Sequence, residues 1–156
     1  MEHEKTQHGG SAWPHGASYV RVVLDEGAHC PTRAHATDAG LDLYAPSGFT
    51  LPAGGQAFVD TGVHVQLPPG TVGLVRSKSG LMRHGGVTTG GTIDEGYTGS
   101  VGVVLQSRGA CDLEFSAGDK IAQLVIVPCC TPRVLLADEL EETERGASGF
   151  GSTGAR

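Results

Sequence analysis

Gly90-Gly91-Thr92-Ile93-Asp94-Glu95-Gly96-Tyr97-Thr98-Gly99 sets a β-branched pair ahead of an Asp-Glu-Gly reversal and an aromatic residue behind it. Glycine and aspartate at a reversal between strand formers predict a tight β-hairpin. On that reading Asp94 ends one strand with its carboxylate aimed out of the turn, and Tyr97 leaves on the returning strand. A carboxylate and a ring held close together on stiff backbone suit a small-molecule site. Taken alone, the stretch reads more simply as a hairpin tip with a solvated acid and a packed ring, so its neighbours decide.

Outward from this stretch the same grammar repeats. Ser100 to Gln106 and Asp112 to Phe115 read as strands, and Gly118-Asp119-Lys120 as a turn. Ile121 to Val127 is the most apolar strand, interrupted only by Gln123, whose amide must either tie a neighbouring loop or face a ligand. On the other side, Val72 to Val75 runs into Arg76-Ser77-Lys78-Ser79-Gly80-Leu81. Two cations and two hydroxyls closed by a glycine suit a phosphate, and Ser79 is placed to cap a short helix over Gly80 to His84. Further back, Phe49-Thr50-Leu51, Gln56 to Thr61 and Val63 to Leu67 are strand candidates punctuated by Gly54-Gly55 and Pro68-Pro69-Gly70. In Ala39-Gly40-Leu41-Asp42-Leu43, alternation turns Leu41 and Leu43 inward and Asp42 outward to solvent. Tyr19 to Leu24 forms the first strand, with Val20, Val22 and Leu24 on one face, and Val134 to Leu136 closes the body.

Roughly ten short strands without a sustained 3.6 period predict an all-β domain, a barrel or jelly roll. With 156 residues, one domain can bury a core without staples. The expected boundaries are a flexible N-terminal extension over 1–17, a β-barrel core over 18–137, and an acidic linker with a glycine-rich tail over 138–156. The first 16 residues carry His3, His8 and His15 and no apolar signal core. No apolar run reaches membrane-spanning length. Net charge is −6, and five of the acids lie in the run Asp138 to Glu144. The rest is almost neutral and has no basic stripe, which disfavours a nucleic-acid polymer as partner. Cys30, Cys111, Cys129 and Cys130 form no CxxC pair, so free thiols in a reducing cytoplasm are expected. The seven histidines show no paired zinc spacing.

Five pieces, in order, resemble the trimeric dUTPase family. They are Ala39-Gly40-Leu41-Asp42; Arg76 to Leu81; Gly91 to Gly99; Gly118-Asp119-Lys120-Ile121-Ala122-Gln123; and the tail Arg145-Gly146-Ala147-Ser148-Gly149-Phe150-Gly151-Ser152-Thr153-Gly154. The resemblance spans about Tyr19 to Gly154. It implies a distorted jelly-roll homotrimer with active sites between subunits. It further implies Mg²⁺-dependent hydrolysis of dUTP to dUMP and pyrophosphate, which keeps uracil out of DNA and supplies dUMP for thymidylate synthesis. Cleavage between the α- and β-phosphates needs a positioned water, and Asp94 is the best-placed general base. By resemblance, Mg²⁺ rides on substrate phosphates and waters, with Asp42 ordering those waters. Ser79, Gly80 and Gln123 contact phosphates; Thr88 and Gly151 belong to the same substrate-binding set. Tyr97 packs on the deoxyribose, and the backbone around Thr92 and Ile93 reads uracil. Arg145 and Ser152 reach the terminal phosphates and Phe150 stacks on the base. Lys78 stands where many members carry Arg, and lysine cannot reproduce a bidentate fork, so Lys78 and Arg76 are alternative phosphate ligands.

Two rival readings share this fold. A dCTP deaminase-like enzyme would need an acid/base pair at C4 of the base, for which Glu95 is the one further carboxylate in the central stretch. A dUTPase-like module could instead sense nucleotides or bind a protein, although an intact tail and Asp94 favour catalysis.

Overall fold

The computed structural model describes residues 19–144 together with 146 and 147. Among them, ten strands follow in the order β1 (Arg21–Leu24), β2 (Gly40–Tyr44), β3 (Phe49–Leu51), β4 (Gln56–Gln66), β5 (Thr71–Arg76), β6 (Gly86–Thr88), β7 (Thr92–Ile93), β8 (Ser100–Ser107), β9 (Leu113–Phe115) and β10 (Lys120–Pro128). One short helix, α1 (Ser79–Arg83), lies between β5 and β6. The strands form two four-stranded sheets, β1-β4-β8-β6 and β2-β10-β5-β7, and a ribbon of β3 and β9. Every pairing is antiparallel. This is the expected all-β fold, a distorted jelly roll.

Alternation builds the core. On β8, Val101, Val103 and Leu105 are buried while the residues between them are partly exposed. They join Leu43, Leu51, Val63, Val75, Ile121 and Leu124, all essentially without solvent contact. Burying each such aliphatic side chain is worth about 1.5–3 kcal/mol, so the two facing sheets carry the fold without disulfides. All four cysteines are free and exposed.

Several local expectations are corrected. Gln56 to Thr61 and Val63 to Leu67, read as separate strands, are one continuous strand, because Gly62 takes φ 64° and bulges the chain without ending it. Register with β8 shifts across this bulge, between Asp60 and His64. The first strand begins at Arg21, and Leu24 is exposed while Val20 and Val22 lean on the core. Helix α1 starts one residue early: Lys78, still extended, occupies the cap position and no side chain caps the helix. The Lys78 carbonyl already accepts the Met82 N–H, so Ser79 lies inside the first turn. Val134 to Leu136 form no strand and stand in solvent, since no strand among the described residues offers them a ladder.

The central stretch also differs from a hairpin. β7 pairs with β5, Gly73 against Ile93 and Leu74 against Thr92, whereas β8 pairs with β4 and β6. The turn after β7 therefore crosses from one sheet to the other. Tyr97 sits in that crossing, ahead of β8, and not on a returning strand.

Candidate active site

Strand register places three of the sequence motifs side by side. On the β2-β10-β5 ladder, Asp42 pairs with Gln123 and Gln123 with Arg76. Leu41, Leu124 and Val75 form the adjacent row and are buried in the core. Alternation along each strand therefore sends Asp42, Gln123 and Arg76 to the opposite face.

Asp42 is the charged centre of this row. It was expected outward and solvated; it does point away from the leucines, yet it is buried. Lys78 Nζ donates to Asp42 Oδ1, and Lys120 Nζ lies 2.7 Å from Oδ2. Burial pushes the carboxyl of Asp42 upward, but hydrogen bonds from Lys120 and Lys78, together with their charges, outweigh it and hold it below the usual carboxylate range. The same contact raises Lys120. Lys120 was not among the sequence candidates. Residues 120 and 123 differ by three, so regular alternation puts them on opposite faces. A register shift between Lys120 and Ala122 adds one residue and returns Lys120 to the side of Gln123 and Asp42.

Gln123 resolves its own ambiguity by tying a loop. Its Nε2 donates to the Ser77 carbonyl at 3.0 Å, which fixes the chain just before Lys78. Gly40 makes room for that amide: a Cβ there would lie 2.9 Å from Gln123 Cδ. Ser77 is locked in turn to β6, accepting the Thr88 N–H at 2.8 Å and donating to the Thr88 carbonyl at 3.2 Å. Thr88 Oγ1 is buried and has no hydrogen-bond partner among the described residues. Arg76 is exposed at the end of β5, and Ser79 and Gly80 open α1 exposed to solvent.

The second half of the site starts from the sheet edge. Ile93 is buried in the core and Thr92 is exposed. Among the described residues β7 has only β5 as strand neighbour, so its outer backbone edge is available to a ligand. Gly90 and Gly91 precede it at φ 105° and 135°, and the Gly91 carbonyl accepts the Val75 N–H at 2.9 Å. Asp94 is exposed, and its carbonyl accepts the Tyr97 N–H at 3.0 Å. Tyr97 is 45% exposed; its hydroxyl donates to the Ser100 carbonyl at 3.0 Å. The ring covers Gly99, where a Cβ would lie 2.5 Å from Tyr97 Cζ. Glu95 is committed elsewhere, accepting the Gly70 N–H at 2.8 Å. Asp94 and Tyr97 share no hydrogen bond or ion pair with the Asp42 row among the described residues. Arg145, Phe150, Gly151 and Ser152 lie outside the described residues.

Fold and site define a class: an all-β jelly roll that presents a carboxylate, an amide and cations on one face of a sheet and an open backbone edge beside them. A family model described as dUTPase matches residues 26–154. The chain belongs to the dUTPase family. It is 42% identical over 136 residues to the deoxyuridine 5'-triphosphate nucleotidohydrolase of Yarrowia lipolytica, covering 85% of this chain and 87% of that protein. It is 44% identical over 133 residues to that of Clostridium novyi, covering 83% and 94%. The structure of the Staphylococcus bacteriophage 80alpha dUTPase with dUPNHPP superposes at TM-score 0.84 with 31% identity, covering 89% of this chain and all of that one. A mutant dUTPase from S. aureus phage phi11, described with a structural Mg(II) ion, superposes at 0.73 with 31% identity, covering 80% and 99%.

Proposed function

We propose that this chain hydrolyses dUTP to dUMP and pyrophosphate. The observation that carries the reading is the register of one sheet, which aligns Asp42, Gln123 and Arg76 from three separate family motifs next to the open edge of β7. Backbone groups of Thr92 and Ile93 meet the uracil edge. Tyr97 presents its ring to the deoxyribose and leaves no room for a 2′-hydroxyl. Ser79, Gly80 and Gln123 meet the phosphates with Lys78 or Arg76 as the cation, and Thr88 completes the substrate-binding set. Gln123 acts partly through the Ser77 carbonyl, because its amide sets the loop that carries Lys78. Lys78 and Lys120 rest on Asp42 in the free chain, so a triphosphate competes with that carboxylate for their charge. Asp94 takes the proton of a water that attacks between the α- and β-phosphates, and pyrophosphate leaves.

Among the described residues no group of three or more His, Cys, Asp or Glu side chains converges on a metal position. We infer that Mg²⁺ is carried by phosphate oxygens and waters, the ligands it prefers, and that Asp42 meets those waters when the triphosphate draws Lys78 and Lys120 away from it. When bound, Mg²⁺ neutralises charge that accumulates on the leaving group.

Assembly into a homotrimer completes the reading. Val134, Leu135, Leu136 and Leu140 are 99, 88, 95 and 91% exposed in the single chain, and a neighbouring subunit is the natural cover for such a run. Sites between subunits let Arg145, Phe150, Gly151 and Ser152 from one tail close over phosphates and base bound to another chain. Residues 1–17 act as an extension, 18–137 as the catalytic core, and 138–156 as linker and lid. No helix among the described residues is long and apolar enough to cross a membrane, and the free thiols suit the cytoplasm.

The test is release of pyrophosphate from dUTP, UTP, dTTP and dCTP, with ammonia followed for dCTP. The expected result is kcat/KM for dUTP above the others by at least about two orders of magnitude. Ammonia from dCTP would establish the deaminase, a reading already weakened by the engagement of Glu95 with Gly70.

A further inference from the structure

The turn that carries Tyr97 is gripped from behind by β4. The bulge at Gly62 reorients this strand, so that Asp60 and His64 both reach the residues leaving the turn. Asp60 accepts the Gly62 N–H at 3.1 Å and the Ser100 hydroxyl. His64, paired with Ser100 in the ladder, directs Nδ1 at the Thr98 carbonyl, 2.8 Å away. Its Nε2 faces Asp25 Oδ2 at 3.2 Å, just past β1. Thr98 follows Tyr97 directly, and Ser100 accepts the tyrosine hydroxyl. His64 thus holds backbone one residue away from the ring.

A carbonyl and a carboxylate can only accept. A neutral imidazole donates from one nitrogen, so both contacts are made together only by the imidazolium. The titratable groups facing the ring are Asp25 beyond β1 and Asp60 on β4 itself; Thr98 and Ser100, on the third side, carry no charge. The Thr98 carbonyl first and Asp25 second hold the imidazole above its ordinary pKa.

We propose that His64 is a positioning residue for substrate selection: as imidazolium it bridges the Thr98 carbonyl and the Asp25 carboxylate, and so fixes the Tyr97 ring against the sugar. The inference rests on Tyr97 as the filter for the 2′ position. Because the folded-state value is raised, the double contact is complete at low pH and is lost as pH rises through that value. The neutral ring keeps one weaker bond, the turn loosens, and a ribonucleotide is admitted more readily.

The measurement is the ratio of kcat/KM for dUTP and UTP from about pH 6 to about pH 9, bracketing the histidine range. The ratio cancels titration of Asp94 and of the triphosphate, which both substrates share. In the unmodified protein it should fall by about three- to tenfold with rising pH, the scale of one weakened charge-assisted hydrogen bond. His64→Asn keeps a donor for Thr98 without a titrating proton, and should give a ratio independent of pH. His64→Ala should lower the ratio by about tenfold at every pH. Asp25→Asn, remote from the turn, should move the fall to lower pH, and it decides the matter if His64→Ala does not fold. A flat ratio in the unmodified protein, or an unmoved midpoint in Asp25→Asn, overturns the clamp. Absence of any dUTP preference at every pH overturns the Tyr97 assignment instead.

Discussion

Replacing Asp42 by Asn tests the charged centre of the site in isolation from its shape. The side chain of Asp42 is 7% exposed, while those of Lys78 and Lys120 are 25% and 43% exposed. Asparagine keeps one acceptor and the volume, but leaves two ammonium groups facing each other without the anion between them. Breaking a fully buried pair costs about 3–5 kcal/mol, and a fully exposed pair contributes about 0–1 kcal/mol. A buried acid with partly wet lysines falls between, at about 1–3 kcal/mol. For a chain of this size that lowers Tm by about 3–10 °C at neutral pH. The pH dependence has a definite sign. The folded-state carboxyl lies below its ordinary value, so its contribution is present above the unfolded pKa of about 3.9 and is lost as pH falls below it, through the folded value. The gap between wild type and Asp42→Asn should therefore close below about pH 4. Thermal melting from neutral to acid pH, at one protein concentration because assembly makes Tm concentration-dependent, reads both effects. Equal melting at neutral pH, or a gap that persists unchanged into acid, would show that the two lysines draw no net stability from Asp42.

Asp94→Asn should lower kcat by about 10²–10⁴ while nucleotide binding survives; single-turnover kinetics beside a binding titration separates the two, and retained turnover moves the base elsewhere. Gly99→Ala puts a methyl group 2.5 Å from Tyr97 Cζ, so the ring must move, and the dUTP/UTP preference should drop by about tenfold or more; an unchanged preference removes Tyr97 from sugar selection. A chain ending at Glu144 should keep its oligomeric state and melting temperature but lose most turnover, as a closing lid requires; light scattering, melting and steady-state rates on the same sample check this, and full activity would make the tail idle.

Much of this architecture could be read without coordinates because its causes are local. Gly-Gly, Pro-Pro-Gly and Gly-Asp punctuation between β-branched runs specifies short strands and turns wherever the chain goes. The separation of Asp42, Arg76, Asp94 and Gln123 into distinct motifs, and the presence of a short helix after Arg76, are equally properties of nearby residues. Tertiary pairing decided the rest. Thr92-Ile93 has the same pattern whether it pairs with β8, across the turn, or with β5; only packing in the sheet selects β5 and turns an expected hairpin into a crossing between sheets. Lys120 reaches Asp42 through a register shift that alternation alone assigns to the wrong face. Asp42 is buried because lysines from two distant segments cover it, and His64 meets Thr98 because a bulge at Gly62 realigns β4. A β-bulge and a strand partner are non-local choices, fixed by which ladder bonds and core contacts the whole chain can satisfy at once.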